Sequence, residues 1–450
     1  MRIVWCVLFI TLFTLPAQAS EKFLNIKEVT SPGGVKAWLV EDHSLPIISI
    51  QFAFRDSGSA LDTLEKQGRT QLLSNTLDEG AGDLDSQTFQ KTLDDNSITL
   101  KFSSSRDSFS GTVKTLSRTK EKAFELLKLA LMQPRFDVDA VERMRQANLT
   151  RIRSSLSDPN WKAARIMNDV AYEGHPYALN SGGTLSSLKA VTPADLRDIA
   201  KSRLTRDKLF IAATGDITEE ELVLMLVSIF EDLPASSSLP AVQESTIQNS
   251  GTITLYEQDI PQTIIQIKIP AFGRDDPDYY ALRVMNYIFG GAGFGSYLME
   301  EAREKRGLTY GIYSTVRDTR KIDDLTIGTS TKNESVTEML DIIKAQMDRM
   351  KTETVSEDKL KKAKSYLTGS LPLSLTSTDK ISGMVLSLLM QDLPIAYLDD
   401  YIENINAVTK EDIKRVAKRV LQTELMTVVL VGQPLEIETA IVITELPNVE

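Results

Sequence analysis

AVTPADLRDIAKSRLTRDKLFIAATG, residues 190–215, and AVTKEDIKRVAKRVLQTELMTVVLVG, residues 407–432, align without a gap and share eight of twenty-six positions. Most of the other positions keep their polarity. Each copy reads as a capped helix, a buried strand and a glycine. An internal repeat of this kind makes the chain two copies of one unit. The starts of the copies match more loosely: strand IISIQFAFRD (47–56), a helix and GAG, against strand IIQIKIPAF (264–272), a helix and GGAG. Ile48, Ile50, Phe52 and Phe54 alternate with Ser49, Gln51 and Ala53, the period of a half-buried strand. Between the copies, LPASSSLPAVQESTIQNSG (233–251) is rich in Ser and Pro and has no period, as a linker would. The expected fold is α+β: two homologous domains, 20–232 and 252–450, each a mainly antiparallel sheet with helices on one face. The linker joins them into a clamshell.

Composition narrows the function. Arg2, an apolar run from Ile3 to Leu15, Pro16 and then Ala17-Gln18-Ala19 have the pattern of a secretory signal, with a run too short to span a bilayer. Residues 1–19 are therefore expected to be a signal peptide and the chain to be exported, to a bacterial periplasm. The only cysteine, Cys6, falls in that segment, so the exported protein would have neither a disulfide framework nor a cysteine nucleophile. A net charge of −11 argues against nucleic acid as a partner. No later apolar stretch is long enough to cross a membrane.

Within the first copy the pattern predicts a helix over 64–79, another near 86–93, two strands across 98–114, and a helix from about 118 to 132. A long, very basic helix follows at 137–156, and another at 161–172.

The stretch GGAGFGSYLMEEAREKRGLTYGIYS, residues 290–314, is where chemistry would sit. Ser296 can cap a helix starting at Tyr297, with Glu300 and Glu301 near its positive end and Arg303, Lys305 and Arg306 near its negative end, before Gly307. Tyr310, Ile312, Ser314 and Val316 then alternate with Gly311, Tyr313 and Thr315 as in a strand. Arg303 and Tyr310 thus flank one tight turn and can offer a guanidinium and a phenol to one region. Gly290, Gly291 and Gly293 would let a peptide backbone approach, although a plain turn is the simpler reading. Their spacing is not that of a nucleotide-binding loop.

With LPIISIQFAFRDSGSA, GHPYALNSGGT followed by AVTPADL, and FGGAGFGSYLMEEAREKRGLTYGIYS, the chain resembles the pitrilysin/insulinase family of zinc metallopeptidases, specifically its small two-domain members that assemble in pairs. The resemblance covers essentially the whole exported chain. It implies an inverted zinc motif, H-x-x-E-H, on the first helix, with a later Glu as third ligand. Here GRTQLLSNTLDEGAG puts Gln71, Ser74 and Asn75 at the two His and the general-base positions, and the third ligand falls at or near Arg151. Amides are poor zinc ligands, a lone Ser is no base, and a guanidinium repels a cation. His43 and His175 are far apart in sequence, each beside a Pro-containing turn, and packing is their simpler role. No metal is expected in this chain.

The resemblance also implies a role for an Arg and a Tyr seven residues apart, which steady a substrate carbonyl near the zinc; Arg303 and Tyr310 have that spacing. The resulting expectation is a zinc-less subunit of an exported heterodimeric zinc metallopeptidase that degrades peptides, inactive alone, with zinc held by a homologous partner subunit. The alternative is a catalytically inactive scaffold or peptide-binding protein with the same fold.

Overall fold

The repeat carries straight into backbone geometry. The computed structural model describes residues 22–435, 437 and 439–450; the expected signal peptide, with Cys6, lies outside the described residues. Strands β1 (Lys27–Thr30), β2 (Lys36–Glu41) and β3 (Ile47–Arg55) are followed by a small ribbon, β4 (Gly80–Ala81) with β5 (Leu84–Asp85), and by β6 (Thr99–Ser104), β7 (Ser108–Leu116) and β8 (Leu209–Gly215). The second copy contributes β9 (Ile253–Glu257), β10 (Gln262–Pro270), β11 (Ile312–Asp318), β12 (Asp323–Lys332), β13 (Thr427–Gly432) and β14 (Ile441–Ile443). The two six-stranded sheets run β1-β2-β8-β3-β7-β6 and β11-β12-β10-β13-β9-β14. Read from the β6 and β11 edges, five strands correspond one to one, and the sixth differs. In the first sheet it is an antiparallel strand that precedes β2, and in the second a parallel strand that follows β13. Both repeat helices start on a reciprocal cap, Thr192 with Asp195 and Thr409 with Asp412. The architecture is α+β, with mostly antiparallel strands in two like halves.

One face of each sheet buries the apolar stripe of its own helices: Ile48, Ile50, Phe52 and Phe54 join one core, and Ile265, Ile267 and Ile269 the other. The opposite face takes one helix from the other half. Helix Thr378–Met390 of the second copy packs on β3 and β8, and helix Pro159–Ala171 of the first packs on β10 and β13. On the polar side of β3, Ser49 is therefore buried and Gln51 half-buried. The Ser49 and Ser382 hydroxyls are 3.0 Å apart, and the Gln51 amide donates to the Asp379 carbonyl at 2.8 Å.

A buried ionic cluster crosses the same boundary. Asp324 on β12 accepts from Lys268 at 2.7 Å, from Arg317 at 2.7 Å and from the Tyr172 hydroxyl of the other half at 2.8 Å. Segment 233–251 is irregular, as its composition implies, but Val242 and Ile247 are buried and its backbone bonds to Lys321 and Ala171. No helix among the described residues is long and apolar enough to cross a membrane.

Candidate functional site

The first candidate region is the helix Arg69–Ser74, shorter than the 64–79 expected from periodicity. Gly68, at φ +81°, breaks the path before it, and Leu64–Lys66 forms only a 3-10 turn. The buried Asp62 carboxylate fixes the helix start, accepting from the Thr70 hydroxyl at 2.6 Å, from Arg69 at 3.2 Å and from Arg203 at 3.0 Å.

Gln71, Ser74 and Asn75 converge on one side of this helix. The Gln71 amide donates to the Asn75 side-chain oxygen at 2.9 Å and to the Ser74 hydroxyl at 3.2 Å, while Ser74 donates to the Gln71 carbonyl at 2.8 Å. The long helix Val138–Ser155 passes beside them. Its residue at this place is the buried Asn148, whose amide lies 3.5 Å from the Asn75 oxygen. Arg151, one turn further on, is exposed, with its guanidinium over Gly182. The resemblance points to Arg151 or near it, and helix phase brings Asn148, three residues earlier, to the cluster instead.

This donor set does not fit zinc. It offers amide and hydroxyl groups already spent on one another, with no carboxylate, thiolate or imidazole. Among the described residues no group of three or more His, Cys, Asp and Glu could hold a metal ion. His43 sits against Asp216 at 2.7 Å, and His175 bridges the Tyr177 amide and the Gln243 carbonyl, so both have structural partners. The Asp216 contact raises the His43 pKa above its ordinary value.

The second region runs from the glycine-rich turn through the short helix to the start of β11. Gly290 is buried against β11, where a Cβ would lie 2.4 Å from the Ser314 hydroxyl oxygen. Close packing on the strand is enough to require glycine there. Gly291 is exposed and Gly293 half-buried at φ +57°. Ser296 caps the helix Tyr297–Met299 by accepting from the Met299 amide at 3.3 Å, and the chain widens into a π-helical turn at Glu300–Glu304 before Gly307. Lys305 and Arg306 fold back onto Glu301, each at 2.5 Å. Arg303 is left with a different neighbour: its guanidinium lies 4.4 Å from the centroid of the Phe294 ring, which is itself 61% exposed.

Tyr310 precedes β11 instead of lying in it, because side chains claim the backbone groups of its turn. Thr309 accepts from the Gly311 amide at 3.1 Å, Thr329 donates to the Gly311 carbonyl at 2.9 Å, and Thr331 donates to the Leu308 carbonyl at 2.7 Å. The Tyr310 ring is 83% exposed at the tip. No hydrogen bond joins Arg303 or Tyr310 to another side chain, or to each other, among the described residues. The geometry thus offers a cation held by an aromatic face and a phenol on a braced turn, both free to donate.

Comparison with known proteins gives these features a family. Residues 49–183 match the family model described as insulinase (peptidase family M16), and residues 190–367 the one described as peptidase M16 inactive domain. A crystal structure of a peptidase M16 inactive domain from Pseudomonas fluorescens superposes with a TM-score of 0.85 at 26% identity, covering 91% of this chain and 98% of that one. The Helicobacter pylori protein named non-peptidase homolog YmxG is 24% identical, covering 87% of this chain and 90% of its own length. The probable inactive metalloprotease YmfF of Bacillus subtilis is also 24% identical, over 67% of this chain and 71% of its own. With like halves, a first helix carrying amides where a metal would be held, and these relatives, the chain belongs to the insulinase family, peptidase family M16, as a non-catalytic member.

Proposed function

We propose that this chain is the zinc-less subunit of an exported, periplasmic heterodimeric peptidase, and that it supplies Arg303 and Tyr310 to a peptide held at the zinc site of a homologous partner. The observation that carries this reading is the contrast between the two regions. The metal positions are closed into an amide cluster, whereas Arg303 and Tyr310 are held on braced backbone with no hydrogen-bonding partner of their own. Two donors with no hydrogen bond of their own have none to break when negative charge develops on a substrate carbonyl oxygen. Arg303 would offset that charge, and the Tyr310 hydroxyl would donate to the same oxygen. Peptide would be cut only in the pair. Reconstitution with a zinc-bearing homologue, followed by kinetics of Arg303→Ala and Tyr310→Phe, tests the reading.

The scaffold reading draws on one observation as well: Phe294 already occupies a face of the Arg303 guanidinium. On that reading the same substitutions leave turnover of any complex unchanged.

A further inference from the structure

The sheet of the first half opens at one corner. The parallel ladder between β2 and β8 begins only at Trp38 opposite Ala212, and Lys36 and Ala37 on one strand and Phe210 and Ile211 on the other diverge around a cavity of about 680 Å³. That volume is in the range of small-ligand sites. Leu389 and Leu393, at the end of the helix lent by the second half, close it from the other side, so its wall belongs to both halves. Trp38, Phe210, Leu389 and Leu393 make much of the lining apolar.

Among the charged side chains of this lining, Glu28 and Lys36 are exposed at the rim, and the half-buried Arg206 has no counterpart. The Arg206 guanidinium makes no hydrogen bond or ion pair with any described residue, and its Nε is buried without an acceptor. The nearby acids are engaged elsewhere: Asp392 is held by Arg55 and Arg320, and Asp207 accepts from the Thr205 hydroxyl and the Ser237 amide. A half-buried guanidinium with no acid of the described residues on it can take an anion from the cavity, and a carboxylate is the acceptor whose two oxygens match the guanidinium fork. Backbone edges of two parting strands add the donors and acceptors that an extended peptide can use.

We infer that this cavity binds the C-terminal end of a short peptide, its carboxylate on Arg206 and its apolar last side chain between Trp38 and Phe210. The site shares no residue with the Arg303 and Tyr310 element and does not depend on the role proposed for it.

The test is titration of the full chain, in a Trp5→Phe, Trp161→Phe background, with acetyl-Ala-Ala-Leu as free acid and as C-terminal amide, followed by Trp38 emission and calorimetry. Saturable binding is expected, with the acid about tenfold or more tighter than the amide, as for loss of one charged hydrogen bond. Arg206→Gln should abolish that preference and Arg206→Lys should keep part of it. Equal affinity for acid and amide, a preference that survives Arg206→Gln, or no saturable binding would overturn the assignment. Octanoate binding as tightly as the peptide acid would show an apolar carboxylate site without peptide recognition, and would overturn it too. The acid and amide comparison in unmodified Arg206 decides the matter even where a variant fails to fold.

Discussion

The Gln71 amide donates to the Asn75 side-chain oxygen at 2.9 Å across one turn of helix. In active members of the family, two imidazoles would reach outward from these positions to a metal; here the two side chains reach each other. The difference is chemical, since the backbone keeps the two positions on one helix face.

Metal binding should therefore be restorable by side chains alone. Gln71→His, Ser74→Glu and Asn75→His together with Asn148→Glu should give a chain that retains one zinc per molecule through gel filtration, measured by elemental analysis. The unmodified chain should retain none. If the same three substitutions with Arg151→Glu bind zinc and the Asn148→Glu set does not, the placement of Asn148 is wrong.

The exchanged helices predict that the halves unfold together. Leu388 is 2% exposed in the cluster between helix Thr378–Met390 and the first sheet. Leu388→Ala should cost about 2–5 kcal/mol, and calorimetry should show one transition moving down as a unit. A split into two transitions, with the first half unchanged, would count against shared packing.

Asp324 predicts an acid dependence. Burial alone would raise its pKa, but Lys268 and Arg317 outweigh that and hold it at about 2. The folded value is depressed, so the stabilisation is fully present above the unfolded carboxylate value of about 4 and is lost as pH falls through about 2. The stability difference between the unmodified chain and Asp324→Asn, from urea unfolding at successive pH values, should be fully present just above pH of about 4, where Lys268, whose own pKa burial lowers to about 8, is still charged beside Asp324. It should shrink by roughly 2 kcal/mol below that. A difference that grows on acidification would contradict the ion cluster.

Much of this was legible in the chain. The repeat at residues 190–215 and 407–432 gave the two halves, their shared topology and the capped helices, since cap, period and terminal glycine are local signals. The helix exchange was not legible: Ser49 and Gln51 have the polarity of a solvent-facing stripe, and the polar groups of Asp379 and Ser382 from the other half are what bury the first and half-bury the second. In the same way, alternation put Tyr310 in a strand, whereas three threonines with backbone partners hold it outside one. Side chains that compete for backbone groups across a sheet leave no periodic trace. The three cations near the helix end also part company only in the fold, where Glu301 takes Lys305 and Arg306 and leaves Arg303.

The proposed action of Arg303 and Tyr310 on substrate, in a complex with a zinc-bearing homologue, is decided by turnover of that reconstituted complex. With assembly checked by gel filtration, Arg303→Ala and Tyr310→Phe should each lower kcat by roughly a hundredfold, about 3 kcal/mol of lost transition-state stabilisation. Unchanged kcat in complexes of unchanged stoichiometry would contradict it.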